Sequence, residues 1–264
     1  MTSPNSSGPN QSRILVAVAP YRQNLTVLQT AVSLAQRKHA ELVALFVEDE
    51  NLLHMAELPF VREIHRASAI DRVLDPKQVM RTLQRQADNL RQTLLQAAQA
   101  YHVQTTLKVV RGQFLAEALA AAVETDITFL SIAEHTIALP GRRRPVAAVH
   151  TKPIWTLFDS TETAIRALQL AAELAFYSAA ELILLLPTTQ LEQMRQLQIE
   201  AAKHLKNHAP ARYVAIPNSE PQAVITALRQ RGLSLLVLYH SATLPMDSYK
   251  ELLNSIECPV LLVR

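Results

Sequence analysis

Four polar side chains follow directly after two apolar runs in the second half of the chain. Short apolar runs with β-branched residues predict buried strands, and open α/β sheets bind ligands beyond the carboxyl ends of their strands. We therefore expect a small-ligand site formed by Asp159, Ser160, His240 and Ser241. A structural role stays open for Asp159, because a carboxylate at the start of a helix can cap its first turn.

The densest basic run of the chain is Arg142, Arg143 and Arg144, directly after Gly141. Guanidinium groups match phosphate oxygens in pairs, so the run is a candidate anion site, with a solvated surface linker as the alternative. No aromatic residues alternate with these arginines. We therefore expect no nucleic-acid binding.

Residues typical of metal sites and of nucleophilic catalysis are few. His204 and His208 share a helix face, a spacing that can hold a metal ion, but no metalloprotease glutamate lies between them and Lys206 adds positive charge. We predict no metal site. The single cysteine, Cys258, has no activating base nearby in sequence and is predicted to fill the core. Without a phosphate loop or a nucleophile–base pair, we expect no enzymatic activity.

The elements that would position these residues occur twice along the chain. Residues 28–31 match residues 168–171, and residues 40–42 match residues 180–182, with an offset of 140 in both cases (168 minus 28, 180 minus 40). An ungapped match through strand, helix and strand predicts an internal duplication. Convergent amphipathic patterning is the alternative.

Apolar runs alternate with amphipathic helical segments in both halves, and strand–helix–strand units imply parallel pairing. The predicted fold is therefore α/β, with two tandem doubly wound, Rossmann-like parallel-sheet domains. Predicted strands lie at 14–19, 42–47, 106–110 and 127–132 in the first half and at 154–158, 182–186, 213–216, 235–239 and 259–263 in the second.

The predicted boundaries follow from these patterns. Residues 1–12 are rich in Ser, Asn and Pro and predict a disordered tail. The first domain is predicted over 13–151, with an insert at 49–76, and the second over 152–264. A fifth strand of the first domain at 145–149 stays open. The apolar residues of the insert, Leu52, Leu53, Met55, Leu58 and Phe60, indicate a lid over the first crevice, or packing against a partner or the other half. We favour intramolecular packing.

Composition restricts the class of protein. The chain has 264 residues, of which 49% are hydrophobic and 19% charged, and its net charge is +3. These values favour packed domains and give no basis for a nucleic-acid surface. One cysteine permits no internal disulfide, and no apolar run is long enough to span a bilayer. We expect a cytoplasmic protein without a membrane partner.

Two segments resemble known sequences. Asp159-Ser160 with the helix that follows at 164–175 resembles the opening of a universal stress protein domain, and residues 258–264 resemble the last strand of that family. The resemblance covers nearly the whole chain as two copies, of which the second matches better. It implies a five-stranded parallel sheet, with ATP bound at the carboxyl ends of the strands and an aspartate contacting the nucleoside.

The chain departs from the family pattern where the phosphates would bind. The resemblance implies a loop of the form G-x2-G-x9-G-[ST] after the fourth strand, whose glycines let main-chain amides approach phosphate oxygens. Residues 239–245 contain no glycine, and the 140-residue offset places Ala19 opposite Asp159 in the first half. We therefore expect no ATP or AMP binding of the family type and no bound cofactor.

These observations predict a non-catalytic stress-response or regulatory protein whose two halves form a pseudo-dimer. The alternative is a small-ligand or nucleotide sensor that uses a modified crevice in the second half. In the resembled family paired domains meet through their last strands, so residues 259–263 are expected to be an exposed edge. That edge predicts a homodimer or an unidentified protein partner.

Overall fold

The chain forms alternating strands and helices, as predicted. The computed structural model describes residues 12–20, 25–64, 71–130, 153–205, 210–229, 235–240, 246–256 and 258–264. Contacts divide the chain into two compact units, Met1–Asp126 and Ile127–Arg264. The predicted fifth strand at 145–149 and residues 1–11 of the predicted tail at 1–12 lie outside the described residues.

The first unit contains a parallel sheet in which β2 lies between β5 and β1. Buried apolar residues of these strands, among them Leu15, Val43 and Leu45, pack with Phe114 to form one core cluster. In chain order the elements are β1 (Arg13–Val18), α1 (Leu25–Lys38), β2 (Glu41–Asp49), α2 (Glu50–Glu57), β3 (Arg62–Ile64), β4 (Asp71–Val73), α3 (Pro76–Tyr101), β5 (Thr105–Gly112) and α4 (Phe114–Ala122).

The long helix α3 shows how the sequence fixes an element. Asp75 caps its start by accepting a hydrogen bond from the Lys77 amide at 3.0 Å, and Pro76 occupies the first turn, where no amide donor is needed. His102 ends the helix in the left-handed conformation. The buried stripe recurs every three or four residues, at Val79, Leu83, Ala87, Leu90 and Leu94.

The second unit carries the larger sheet, in the order β6-β11-β10-β7-β8-β9. Its strands pair in parallel except for β6, which runs antiparallel to β11. In chain order the elements are β6 (Ile127–Leu130), β7 (Ile154–Leu157), α5 (Glu162–Ser178), β8 (Leu182–Pro187), α6 (Leu191–Leu205), β9 (Ala211–Ile216), α7 (Pro221–Arg229), β10 (Leu235–Tyr239), α8 (Met246–Ser255) and β11 (Val260–Val263). Doubly wound topology is therefore confirmed here.

The strand registers support the predicted duplication. Ile14 of β1 pairs with Leu42 of β2, and Ile154 of β7 pairs with Leu182 of β8, so the same 140-residue offset relates both pairs. Strands that are buried on both faces are apolar throughout, so their apolar character alone does not specify which residues pair. A repeated βαβ unit accounts for the agreement.

The prediction of an exposed edge at the last strand is wrong. Strand β11 pairs in parallel with β10 on one side and antiparallel with β6 on the other, where Leu261 lies opposite Phe129. Its main-chain groups are therefore occupied on both sides, and they cannot recruit a strand from a second molecule. The homodimer stays a prediction without this interface, and light scattering at high protein concentration tests it.

Only some of the apolar side chains in the insert of the first unit pack against the rest of that unit. Helix α2 begins at the cap Asp49, which accepts from the Asn51 amide at 2.9 Å, and its Leu52 and Leu53 pack on a buried cluster that includes Leu83. This confirms intramolecular packing for those two leucines. Three other apolar side chains that were expected to be covered are exposed: Met55, Leu58 and Phe60. The hairpin of β3 and β4 was not predicted.

Candidate functional site

A crevice of about 490 Å³ lies at the carboxyl ends of β7 and β8 in the second unit. Its volume falls within the range of small-molecule sites, which is roughly 300–1,000 Å³. It occupies the position that the strand-end argument predicted for a ligand. The lining residues are Asp159, Ser160, Pro187, Thr188, Gln193, Gln196, Leu197 and Glu200.

Asp159 organises the entrance to helix α5. Its Oδ1 accepts hydrogen bonds from the Thr161 amide at 3.0 Å and from the Thr161 hydroxyl at 2.6 Å. Thr161 is itself the helix cap, since its Oγ1 accepts from the Ala164 amide. The N-cap of α5 is therefore Thr161. The interpretation of Asp159 as the cap is wrong, because Asp159 instead holds the cap residue in place.

Ser160 lies between these two residues in a strained conformation. Its φ is 67°, in the left-handed region that residues with a Cβ rarely adopt. The hydrogen bonds of Asp159 to Thr161 bridge over Ser160 and oppose its relaxation. Ser160 is exposed and belongs to the lining of the crevice. Strain of this kind often marks a functional site.

Tyr239, the last residue of β10, contributes a hydrogen bond to Asp159, which lines the crevice. The tyrosine is buried, and this burial, together with the Asp159 carboxylate, raises the pKa of the Tyr239 hydroxyl above its ordinary value. The hydroxyl therefore stays protonated and donates to Asp159. Its own carbonyl accepts from the Tyr249 hydroxyl at 2.8 Å. Tyr239 was not predicted as a site residue, because it lies within an apolar strand of the sequence.

The opposite wall of the crevice comes from the end of β8 and from helix α6. The Thr188 hydroxyl donates to Gln193 Oε1 at 2.8 Å and accepts from the Gln190 amide. These two hydrogen bonds hold the first turn of α6 against the end of β8. Gln193, Gln196 and Glu200 then follow at helical spacing along one face. That spacing is the signal in the sequence that could have identified this wall.

The electrostatics of the crevice favour hydrogen-bond donors. Two carboxylates, Asp159 and Glu200, belong to its lining, and no lysine or arginine does among the residues that the structure describes. The hydrogen bond from Lys203 at 2.7 Å, and after it the one from His204, lowers the pKa of the Glu200 carboxyl. Glu200 therefore stays ionised at neutral pH and can accept from a ligand.

The other predicted site residues do not join the crevice. His240 is exposed and is not part of the described lining; its ring stacks on Tyr249 with a centroid distance of 6.1 Å, and its amide donates to the Val263 carbonyl at 2.7 Å. The structure thus gives His240 a packing role. Ser241 and the predicted anion site at Arg142, Arg143 and Arg144 lie outside the described residues.

The remaining candidates have structural partners. Cys258 is buried, as predicted, and burial raises the pKa of its thiol to about 12. His204 Nε2 lies 3.2 Å from Glu200 Oε1, whereas His208 lies outside the described residues. Within the described ranges no three metal-ligating side chains come together, and none of the helices is long and apolar enough to cross a bilayer.

The first unit has a different arrangement after its strands. Ala19 stands opposite Asp159 in the repeat and supplies no carboxylate. The acidic run after β2 has structural partners instead: Asp49 caps α2, and Glu48 Oε2 lies 3.3 Å from Arg111 Nη2. The described crevice with two carboxylates belongs to the second unit.

Comparison with known proteins identifies the fold. A universal stress protein from Archaeoglobus fulgidus DSM 4304 superposes with a TM-score of 0.52 at 10% identity, covering 96% of this chain and 97% of that one. The cytoplasmic domain of a prokaryotic cation chloride cotransporter superposes with a TM-score of 0.46 at 10% identity, covering 96% of this chain and 94% of that one. A universal stress protein from Archaeoglobus fulgidus in complex with dAMP superposes with a TM-score of 0.35 at 16% identity, covering 44% of this chain and 99% of that one.

The chain therefore has the universal stress protein fold, an α/β fold of the Rossmann-like kind. Sequence comparison adds nothing to this likeness: no family model matches, and no curated protein matches. The likeness of this chain to the solved structures therefore lies in its fold.

Proposed function

We propose that this chain is a non-catalytic regulatory protein of the universal stress protein type, which binds a small ligand in the crevice after β7 and β8. The observation that carries the proposal is the presence of two carboxylates, Asp159 and Glu200, in a lining whose other described side chains are neutral. Such a lining accepts hydrogen bonds and repels anions. The ligand is therefore neutral or cationic and rich in N–H or O–H donors.

A nucleoside or an amine fits this lining better than a triphosphate does. Gln193 and Gln196 can each donate and accept, and Leu197 offers an apolar contact for a flat ring. The segment after β10 has no glycine, so it offers no main-chain cradle for further phosphates.

The absence of catalysis is part of the proposal. The lining includes no histidine, cysteine or lysine among the described residues that could act as a base or nucleophile beside the Ser160 hydroxyl. Binding without chemistry is the expected behaviour of a sensor, in which the ligand stabilises one state of the protein. ATP turnover that disappears in Asp159→Ala would instead establish an enzyme.

Thermal unfolding with three probes tests the ligand class. We expect adenosine and putrescine to raise the melting temperature, and ATP to raise it no more than adenosine does. A ligand at about one hundred times its dissociation constant stabilises by about 2.7 kcal/mol, which is readily measured. No stabilisation by either donor-rich probe, or much stronger stabilisation by ATP, would contradict the proposal.

A matched pair of variants locates the binding. Glu200→Gln removes a crevice charge and keeps the shape, so we expect it to weaken putrescine binding. Glu192→Gln makes the same change on the same helix outside the lining, and we expect it to leave binding unchanged. Equal effects of both variants would indicate a general surface attraction and not this crevice.

A further inference from the structure

Strand β9 forms an edge of the sheet in the second unit. Each of its residues, Ala211–Ile216, is paired with β8, and no described strand lies on its other side. Alternate residues of an edge strand direct their amide and carbonyl groups away from the sheet. The strand contains no lysine or proline, and its continuous register with β8 leaves no bulge. These are devices that block an edge, so β9 is able to pair with a further strand.

The charges on β9 and α7 are divided between the two ends of the strand. From residue 211 to residue 229 the charged residues are Arg212, Glu220 and Arg229, and all three are exposed. Arg212 lies at the amino end of β9, whereas Glu220 lies beyond its carboxyl end. Helix α7 returns to the start of the parallel strand β10, so Arg229, in its last turn, lies toward the amino ends of the strands. One end of the edge is therefore basic and the other acidic.

The arginine and the glutamate lie on the same face of the sheet. Side chains alternate along a strand, so Arg212 shares a face with Val214 and Ile216, which line an open groove against α7. Glu220 directly precedes α7, and its carbonyl accepts from the Ala223 amide at 3.1 Å. A strand that pairs with β9 can therefore meet both charges on this one face.

Exposed apolar side chains lie beside the edge on the opposite face. Right-handed crossovers place α6, which leads outward to β9, and α7, which leads back to β10, on opposite faces of the sheet. Leu191 and Ile199 of α6 are 59% and 60% exposed. Gln193, Gln196 and Glu200 turn another side of this helix toward the crevice at β7 and β8. The side with the two apolar residues therefore faces the edge at β9.

We propose that β9 pairs with β9 of a second copy of this chain, antiparallel and about a two-fold axis through the middle of the strand. The axis places the basic end of one copy against the acidic end of the other, so Arg212 faces Glu220 of the second copy, twice in one interface. The edge is thus complementary to itself, which favours a second copy over an unrelated strand. This pairing is independent of what the crevice at Asp159 binds.

The same axis accounts for the exposed apolar residues. The α6 helices of the two copies lie on the same side of the joined sheet, next to the axis, where Leu191 and Ile199 lose exposure to water. The interface therefore combines main-chain hydrogen bonds, apolar contact on one face and two ion pairs on the other.

Charge exchange tests this arrangement. Sedimentation velocity over a range of concentrations gives the dissociation constant of the dimer for the parent protein and for each variant. We expect Arg212→Glu and Glu220→Arg each to raise that constant by at least roughly tenfold, because each places like charges together twice. The double exchange restores opposite charges and should recover most of the affinity. Arg85→Glu, an equal change at an exposed position of α3, should leave association unchanged.

A cross-link locates the interface. The native Cys258 is buried, so Ala215→Cys adds an accessible thiol at the edge, and a short bismaleimide should join two copies of this variant. Val109→Cys adds an exposed thiol on β5, whose Lys108 and Arg111 oppose pairing with its own copy, and should not be joined.

Four results would overturn the proposal. The first is a parent protein that stays monomeric at high concentration. The second is a dimer that the single charge reversals leave unchanged, which would place the interface elsewhere. The third is a double exchange that recovers no affinity, and the fourth is equal cross-linking of the two thiol variants.

Discussion

His39 and Ala179, which are 140 residues apart, end equivalent helices in the same left-handed conformation, with φ of 51° and 50°. The following residues also correspond, because the Ala40 amide donates to the Ala35 carbonyl and the Ala180 amide to the Ala175 carbonyl, both at 2.9 Å. This is the hydrogen bond of a helix end that usually carries glycine. Neither half has glycine there, so the repeat preserves the geometry and not the residue type.

The first prediction concerns this helix end. A residue with a Cβ in the left-handed region costs about 1–2 kcal/mol, and glycine avoids most of that cost at some loss of chain entropy. We expect Ala179→Gly to raise the free energy of unfolding by about 0.5–1 kcal/mol, measured by urea denaturation. Ala172→Gly, within helix α5, is the control and should lower stability by about 1 kcal/mol. A loss of stability in both variants would refute the argument.

The second prediction concerns the cap of α5. Thr161→Ala removes the acceptor for the Ala164 amide and one donor to Asp159, and a lost cap of this kind costs about 1 kcal/mol. Thr161→Ser keeps the hydroxyl and should retain most of the stability. Chemical denaturation of the three proteins measures the difference. If Thr161→Ser lost as much stability as Thr161→Ala, the methyl group of Thr161 and not its hydrogen bonds would account for the stabilisation.

The third prediction concerns the hydroxyl beneath the crevice. Tyr239→Phe removes the donor to Asp159, and a hydrogen bond to a charged group contributes about 1.5–3 kcal/mol. We expect a loss of that size in the free energy of unfolding. Tyr101→Phe removes an exposed hydroxyl in the other unit and should change stability little. Comparable losses in both variants would be inconsistent with the buried hydrogen bond.

The fourth prediction concerns alkaline pH. Burial raises the pKa of the Cys258 thiol from 9.0 to about 12, so the folded protein keeps this proton after the unfolded chain has lost it. The stabilisation is complete below pH 9.0 and is lost as the pH rises toward about 12. One such proton gives a slope of about 1.4 kcal/mol per pH unit.

Cys258→Ala removes this titrating group and serves as the control. We expect its stability to fall less steeply than that of the parent protein over the same range of pH, after allowance for its lower starting value. Tyr239, whose pKa burial also raises, remains in both proteins and keeps some slope in each. Parallel curves for the two proteins would show that Cys258 does not contribute.

The apolar pattern predicted most elements within a few residues, because buried strands and amphipathic helices leave a local signature. Helix α3, from Pro76 to Tyr101, buries a stripe of apolar residues at helical spacing that is visible in the sequence. The pairing of β11 with β6 could not be predicted. A short apolar run shows that a strand is buried and does not show which strand lies beside it.

Only one wall of the candidate crevice was predicted from the sequence, the wall formed by Asp159 and Ser160. Asp159 and Ser160 were found because they follow a strand, whereas Gln193, Gln196 and Glu200 lie on a helix whose polar residues resemble an ordinary solvated face. Tyr239 was taken as part of a strand, and its bond to Asp159 depends on the order of β7 and β10. Such relationships between elements arise from tertiary packing and leave little local trace.

The position of β11 also has a consequence for the order of folding. Leu130 pairs with Val260, so one side of this strand depends on a contact that spans most of the second unit. Contacts between distant parts of a chain close large loops and form slowly. During synthesis β6 leaves the ribosome long before β11 exists. The edge of β6 that pairs with β11 therefore stays unpaired until the last strand is made.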